Sequence, residues 1–224
     1  MAVAALAGRG DLEALRRAAE AAKPVTLAGE RSLPVLDALG SLLPDGLRRG
    51  VVATVAGASG AGSTSLALAL GAGASAAGSW VAVVGHPGLG LQAAVELGLA
   101  QERLLVVPEV PAASWATVVA ALLDAVDVVY ARPPRGSRVS PVDARRLVAR
   151  AREREAVLVP FGGADWPVPA DVRLSVASPS WELRSGRLVG RRAVVTSSGR
   201  GVYARERRAE LWLPGPDGAV AACD

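Results

Sequence analysis

The sequence predicts an α/β fold with a mainly parallel sheet, antiparallel strands added at its C-terminal edge, and an N-terminal helix. Between residues 51 and 160, short valine-rich segments alternate with Ala/Leu-rich segments of helical length, which is typical of parallel sheets. These strand segments are apolar throughout, which indicates that helices cover both faces of the sheet. After residue 163, apolar and polar residues alternate between glycine-containing turns, as they do in antiparallel strands.

The elements of the predicted sheet follow one another in a regular order. The parallel strands are expected at residues 51–56, 80–84, 104–107, 126–130 and 156–160. The helices between them are expected at residues 63–76, 89–99, 114–123 and 140–154. Two of these helices carry start signals: Ser114 is a predicted N-cap, and Ser140 is a second predicted N-cap, followed by Pro141 at N1 and Asp143 at N3. The antiparallel strands are expected at residues 172–177, 181–184, 188–196 and 202–213.

The N-terminal part of the chain is predicted to form an amphipathic helix over residues 11–22, with Asp11 as its N-cap. The Lys23-Pro24 pair ends this helix. We therefore divide the chain into an N-terminal helix and linker (1–29), a core with C-terminal antiparallel strands (30–213) and a loose tail (214–224). The helix either docks on a partner or packs on its own domain.

The composition excludes several classes of site. The chain has one cysteine, Cys223, so it cannot form an intramolecular disulfide, and this cysteine usage suits a cytoplasmic protein. It has one histidine, His86, which excludes a multi-histidine metal site. Residues 50–85 carry no charge, but frequent glycines argue against a membrane span. Lysine is represented once, by Lys23, among 25 basic residues; a GC-rich genome explains this bias, yet any lysine-dependent chemistry must use that residue.

A glycine-rich segment follows the first predicted strand, and we call it the glycine loop (residues 57–65). Its spacing matches the phosphate-binding pattern G-x-x-x-x-G-K-[ST], in which backbone N–H groups and a helix N-terminus surround phosphate oxygens. The candidate loop residues are Gly57, Gly60, Gly62, Ser63, Thr64 and Ser65. Serine stands at the lysine position, so the loop lacks the charge that contacts the β- and γ-phosphates. The alternative is a strand-to-helix turn that binds nothing.

Two other positions that an ATPase needs are also altered. The strand at 80–84 ends in Gly85-His86-Pro87, where a carboxylate that activates water is expected. The strand at 126–130 carries Asp127 at its start and Arg132 beyond its end, where a Mg²⁺-binding aspartate is expected. His86 could act as a base, but a lone histidine is more often structural. We therefore expect no catalytic residue, no metal site and no resident cofactor, with ATP and Mg²⁺ as the alternative ligands.

The chain resembles the RecA/RadA-like superfamily over residues 30–200. The matching stretch is LPVLDALGSLLPDGLRRGVVATVAGASGAGSTSLALAL, which comprises an apolar lead-in, a strand, the glycine loop and an Ala/Leu helix. Within that superfamily the segments GLGLQAAVELGLAQERLLVVPE and VVTSSGRGVYARERRAELWLP are most similar to the short actinobacterial accessory proteins of the ImuA type. The resemblance implies a RecA-like core with a P-loop whose ATPase has been lost.

That resemblance also implies a role. It suggests an adaptor in DNA damage-induced mutagenesis and translesion synthesis. The implied partners are an inactive Y-family polymerase-like protein and an error-prone C-family polymerase, with RecA and DNA as further candidates and no membrane. A weak P-loop ATPase whose missing cation comes from a partner is the alternative from the enzyme class. A cell-division inhibitor is a further interpretation that no residue favours.

A DNA-binding module is the remaining interpretation. Two segments, 132–155 and 181–210, each carry eight arginines. The candidate DNA contacts are Arg132, Arg135 and Arg138, in a loop that follows a predicted strand. A solvated arginine-rich face is the simpler explanation, since aromatic residues that stack on bases are scarce.

Overall fold

A computed structural model describes residues 2–3, 32–161 and 166–223, so the predicted helix at 11–22 lies outside the described residues. The α-helices are α1 (Ser63–Leu70), α2 (Ala72–Ala76), α3 (Leu91–Glu96), α4 (Ala112–Leu123) and α5 (Pro141–Glu153). The strands before residue 161 are β1 (Ala2–Val3), β2 (Ser32–Leu33), β3 (Leu47–Arg48), β4 (Ala53–Gly57), β5 (Val81–Val84), β6 (Leu104–Val107), β7 (Val128–Ala131) and β8 (Val157–Pro160). The later strands are β9 (Val172–Arg184), β10 (Arg187–Gly199), β11 (Arg207–Trp212) and β12 (Ala221–Ala222).

The strands form a mixed α/β architecture in which parallel pairing dominates the first half of the chain. One sheet has the parallel order β1-β6-β5-β7-β8, and a second has the order β12-β11-β10-β9-β4. A parallel bridge between Val52 and Leu158 joins them, so β4 lies between β8 and β9. β4 pairs with β9 in parallel, whereas β9, β10, β11 and β12 pair antiparallel. The predicted α/β class and the C-terminal antiparallel strands are confirmed.

Helices cover both faces of the parallel sheet, as its apolar strands predict. Successive side chains of a strand point to opposite faces. Along β5, Val81 and Val83 pack in the core cluster with α1, α2 and α3, whereas Ala82 and Val84 pack with α4 and α5. All four β5 side chains are buried. The described helices include none that is both long and apolar enough to cross a membrane.

The predicted helix at 63–76 is divided into α1 and α2 at Gly71. The hydroxyl of the fully buried Tyr130 donates to the carbonyl oxygen of Leu68 at 2.7 Å and accepts from the N–H of Gly71 at 2.9 Å. This hydroxyl inserts into the helical hydrogen-bond ladder, which is a recognised cause of helix kinks. A Cβ at position 71 would lie 2.6 Å from the Tyr130 hydroxyl oxygen, so the break requires glycine.

Of the two predicted helix N-caps, one is confirmed and the other is wrong. Ser140 caps α5 as expected, since its Oγ accepts from the N–H of Asp143 at 3.0 Å and Pro141 occupies the first helical position. The prediction that Ser114 is an N-cap is wrong, because α4 begins at Ala112 after Pro111. Ser114 lies inside the helix, where its hydroxyl donates to the Pro111 carbonyl oxygen at 3.2 Å.

Two C-terminal predictions are corrected. The strands expected at 172–177 and 181–184 form one continuous strand, β9, whose pairing with β10 shifts register between Arg192 and Val194. Opposite this shift, Ser178 has φ +50°, as a β-bulge allows. The loose tail expected at 214–224 instead packs against the sheet: β12 pairs with β11, and Val220 is buried. A turn closed by the Gly215 N–H and the Ala219 carbonyl returns the chain to the edge strand.

Candidate functional site

The candidate residues gather at one edge of the sheet. Because β4, β5, β6, β7 and β8 are parallel, their carboxyl ends meet there. The residues at or just after these ends are Gly57, Gly85, Pro108, Arg132 and Phe161. The glycine loop and the predicted arginine loop therefore belong to the same side of the molecule, where open α/β sheets bind ligands.

The glycine loop joins the end of β4 to the start of α1 through glycines with positive φ angles. Gly60 has φ +78° and Gly62 has φ +106°, both in the left-handed region that favours glycine. Gly62 is the N-cap of α1, and no side chain caps this helix. The first N–H groups of a helix have no intrahelical partner, so α1 directs uncapped donors and the positive end of its dipole toward the loop. The shape can hold an anion.

The structure places an arginine against this loop that the sequence analysis missed. Arg191 from β10 donates from Nη1 to the Gly60 carbonyl oxygen at 2.7 Å. Its guanidinium also stacks over the Trp181 ring, 5.0 Å from the centroid. A Cβ at position 62 would lie 2.6 Å from Nη2 of Arg191, so glycine at 62 makes room for the guanidinium. The C-terminal antiparallel strands thus supply a cation beside the loop that lacks its lysine.

The charge of Arg191 is not balanced locally. The side chain is 7% exposed, its Nε is buried without a hydrogen-bond partner, and it forms no ion pair with any described residue. Burial accordingly lowers the pKa of Arg191. Buried charges in proteins are normally paired or bind a ligand of opposite sign. A buried cation next to a helix N-terminus therefore favours an anion at the glycine loop.

Asp127 has a structural role at the opposite edge of the sheet. It immediately precedes β7, and one carboxylate oxygen accepts from Arg49 Nη1 at 2.8 Å. The other accepts from the Trp80 N–H at 3.0 Å. Because the glycine loop lies at the carboxyl edge, Asp127 cannot reach a metal ion bound there. Nor do the described residues include a cluster of three or more His, Cys, Asp or Glu side chains that could hold a metal.

A cleft of about 810 Å³ opens at the carboxyl ends of β5, β6 and β7, and we call it the carboxyl-edge cleft. Its polar side chains are His86, Glu109, Arg132 and Arg135. Sequence reasoning missed Glu109, which comes two residues after β6; its only signal is that position after a strand end. The Trp115 indole N–H donates to the Arg132 carbonyl oxygen at 2.8 Å and holds the beginning of the arginine loop.

His86 lies in the wall of this cleft. Its ring stacks on Phe161 with centroids 5.6 Å apart, and its Nδ1 is buried without a hydrogen-bond partner. Burial lowers the pKa of His86, and the nearby positive charge of Arg132 lowers it further. The imidazole is therefore neutral at pH 7, with one nitrogen able to accept and the other able to donate.

The three candidate DNA contacts do not form one group. Arg132 and Arg135 line the carboxyl-edge cleft, whereas Arg138 is not among the residues that line it. The turn between them is closed by the Ser137 hydroxyl, which donates to the Pro134 carbonyl oxygen at 2.6 Å. The structure thus assigns two of these arginines to a concave site.

Comparison with known sequences relates the loop and the cleft to one family. The sequence profile described as the MT3502 N-terminal domain matches residues 41–168, more than half of the chain. The chain belongs to this family. It is also 35% identical over 134 residues to the uncharacterized protein Rv3395c of Mycobacterium tuberculosis, a match that covers 55% of this chain and 64% of that protein.

The match to this relative therefore spans less than two thirds of the relative's length. The part of the chain matched by the MT3502 N-terminal domain profile contains the glycine loop and every residue that lines the carboxyl-edge cleft. Arg191 lies beyond the matched residues.

Proposed function

We propose that the protein is a catalytically degenerate RecA-like adaptor in DNA damage-induced mutagenesis and translesion synthesis, acting through contacts with polymerase-like partners. One observation carries the proposal: the glycine loop has the residue spacing of a phosphate loop, but the sheet edge lacks the groups that hydrolysis needs. Ser63 occupies the lysine position, and β5 and β7 are followed by Gly85-His86 and by Arg132 rather than by carboxylates. Positioned charges of this kind supply most of the catalysis in phosphoryl transfer.

The fold and the sequence resemblance support this proposal. A parallel sheet with the glycine loop after a central strand, extended by antiparallel strands, is the architecture that the resemblance to RecA-like proteins implies. The similarity to ImuA-type accessory proteins supplies the implied partners, an inactive Y-family polymerase-like protein and an error-prone C-family polymerase. DNA and RecA are further proposed partners.

The β9–β10 hairpin offers a surface for such contacts. Large apolar side chains that are exposed normally mark an interaction site only when they cluster. Leu183 and Leu188 face each other across the hairpin and are 62% and 60% exposed, and Trp181 near them is 43% exposed. We propose this hairpin tip, defined by Trp181, Leu183 and Leu188, as the surface that contacts a partner.

The test is complex formation with the inactive Y-family polymerase-like protein, measured by analytical ultracentrifugation with and without ATP. The wild-type chain is expected to form a complex in both conditions, and the Leu183→Asp/Leu188→Asp variant is expected to weaken it at least tenfold. Val142→Asp is the matched control, since Val142 is 59% exposed on α5. Absence of a complex, or equal binding by both variants, would contradict the adaptor surface.

A second candidate function, nucleotide binding at the glycine loop with at most weak ATPase activity, is favoured by Arg191. The residues fit a phosphate group, because uncapped N–H groups of α1 and an unpaired guanidinium lie beside the same glycines. Arg191 would supply from within the chain the positive charge that Ser63 lacks. The test is thermal unfolding with Mg-ATP: the melting temperature of the wild type should rise more than that of Arg191→Met, and a flat response of the wild type argues against this function.

A further inference from the structure

We propose that the carboxyl-edge cleft binds a compact organic anion, a phosphate monoester or a carboxylate on an apolar body, with Arg132 and Arg135 contacting the charged group. None of the residues that line this cleft belongs to the glycine loop. The site is therefore separate from the proposed nucleotide position. It also goes beyond the adaptor function, because it concerns a small ligand rather than a protein partner.

The position of the cleft in the sheet is the first argument. The connection that leaves β5 runs through α3 on one face of the sheet, whereas the connection that leaves β7 runs through α5 on the other face. β5 and β7 are neighbouring strands, so their chains separate at the carboxyl edge. Open α/β sheets bind ligands in the crevice that such a reversal creates.

The size and rigidity of the cleft are the second argument. Its volume of about 810 Å³ lies within the range of roughly 300–1,000 Å³ that small-molecule sites occupy. Its wall is mostly apolar and carries prolines after all three strands. These prolines are Pro87, Pro108, Pro111, Pro133 and Pro134. Because proline fixes its own φ angle, the wall is preformed and loses little conformational entropy when a ligand binds.

Charge selects an anion. Arg132 and Arg135 form no ion pair with any described residue, and Glu109 is the single acidic residue of the wall. The twelve-residue helix α4 begins at the cleft after Pro111, and no side chain caps its N-terminus. The N-terminal end of this helix and the two guanidinium groups all border the cleft, and each of them favours negative charge there.

His86 is the titratable imidazole in the wall of this cleft, so it can report on a ligand there. Its Nδ1 is buried, so any contact with a ligand falls to the rest of the ring. A neutral imidazole can donate a hydrogen bond to an anion in one tautomer. The apolar body of the ligand would then contact the proline-rich wall, as in other ligand pockets.

The proposal can be tested by following the imidazole signals of His86 by NMR. His86 is the single histidine of the chain, so a protein carrying a histidine-free tag gives one set of imidazole signals. The probes are phenyl phosphate, benzoate and phenol, titrated at pH 7.5. We expect phenyl phosphate or benzoate to shift the His86 signals saturably and to raise its pKa, whereas phenol, which has an apolar body without the charge, should not. Comparing the two anions distinguishes a phosphate from a carboxylate ligand.

The Arg132→Gln/Arg135→Gln variant should weaken binding of the anion by about tenfold or more, because each charged hydrogen bond contributes substantially. Arg138→Gln is the matched control, since it lies in the same loop but outside the cleft. The melting temperatures of both variants report that they fold. The proposal is overturned if neither anion shifts the signals, or if both variants bind equally. It is also overturned if single-stranded DNA shifts them at lower concentration than either anion with the same arginine dependence, which would favour a nucleic-acid interface.

Discussion

Replacing Arg191 by methionine tests whether this cation serves to bind a ligand or to stabilise the fold. Arg191 is 7% exposed, and its guanidinium lies between the Gly60 carbonyl and the Trp181 ring without a carboxylate partner. A side chain retained for stability should be costly to remove. A cation retained for an anionic ligand should instead destabilise the ligand-free protein, and its removal should relieve that cost.

The expected magnitude follows from the contacts of Arg191. Its removal loses a charged hydrogen bond to Gly60, about 1.5–3 kcal/mol, and a stacking contact on the half-exposed Trp181, about 0.5–1 kcal/mol. It relieves the unsatisfied Nε, about 1–3 kcal/mol, and the desolvation of an unpaired charge, several kcal/mol. The costs that are relieved are therefore at least as large as the contacts that are lost. We expect the free energy of unfolding of Arg191→Met to lie no more than about 1 kcal/mol below that of the wild type.

The assay is urea unfolding, first in phosphate-free buffer and then with inorganic phosphate. A phosphate concentration ten times the dissociation constant stabilises the folded state by about 1.4 kcal/mol. Phosphate also stabilises proteins nonspecifically because it is excluded from their surfaces, and Arg191→Met measures that contribution. Only the excess stabilisation of the wild type reports binding at the loop, and Arg191→Lys should retain part of it. A loss of more than about 3 kcal/mol in phosphate-free buffer, with equal phosphate responses of wild type and variant, would refute the reasoning.

Three further predictions concern the fold and the cleft. Tyr130→Phe should lower the free energy of unfolding by about 1–3 kcal/mol in urea unfolding, because the Leu68 carbonyl and the Gly71 N–H lose their shared hydroxyl partner and keep a longer bond of 3.3 Å to each other; an unchanged value would contradict the role given to the hydroxyl at Gly71. Ser140→Ala should cost about 0.5–2 kcal/mol in the same assay, since it removes the N-cap of α5, and a neutral effect would remove that role. Burial lowers the pKa of His86 from 6.5, so the unfolded chain binds a proton first, and the free energy of unfolding should fall as the pH drops below about 6.5. His86→Phe should remove this part of the slope below about pH 6.5, and an identical slope in the variant would show that other groups cause it.

The parts of the fold that the sequence predicts are those that depend on local patterns. Buried strands between polar turns, such as β6 at Leu104–Val107, coincide with their predicted positions because every side chain in them must be apolar. Ser140 caps α5 because its signal lies within four residues. The break at Gly71 was not predictable in this way, since it depends on Tyr130, which β7 brings from 59 residues away.

In the candidate site, too, the features set by local sequence were predictable and those set by distant residues were not. The positive φ angles of Gly60 and Gly62 follow from the local pattern of the glycine loop. Arg191 lies 131 residues from Gly60, and only the pairing of β4 with β9 and of β9 with β10 brings it to the loop. The position of Arg191 among many arginines of similar sequence context gives no indication of that contact. The cleft likewise combines residues after three strands whose order in the sheet is not encoded by any single segment.

The most direct test of the account is steady-state ATP hydrolysis by the purified chain with Mg²⁺, in the presence and absence of single-stranded DNA. The control is Gly62→Asp, because a Cβ at position 62 would lie 2.6 Å from Arg191 and obstruct the loop. We predict that the wild-type rate does not exceed the rate of this variant under either condition. Turnover that DNA stimulates and that Gly62→Asp abolishes would contradict the claim that the chain has lost its ATPase activity.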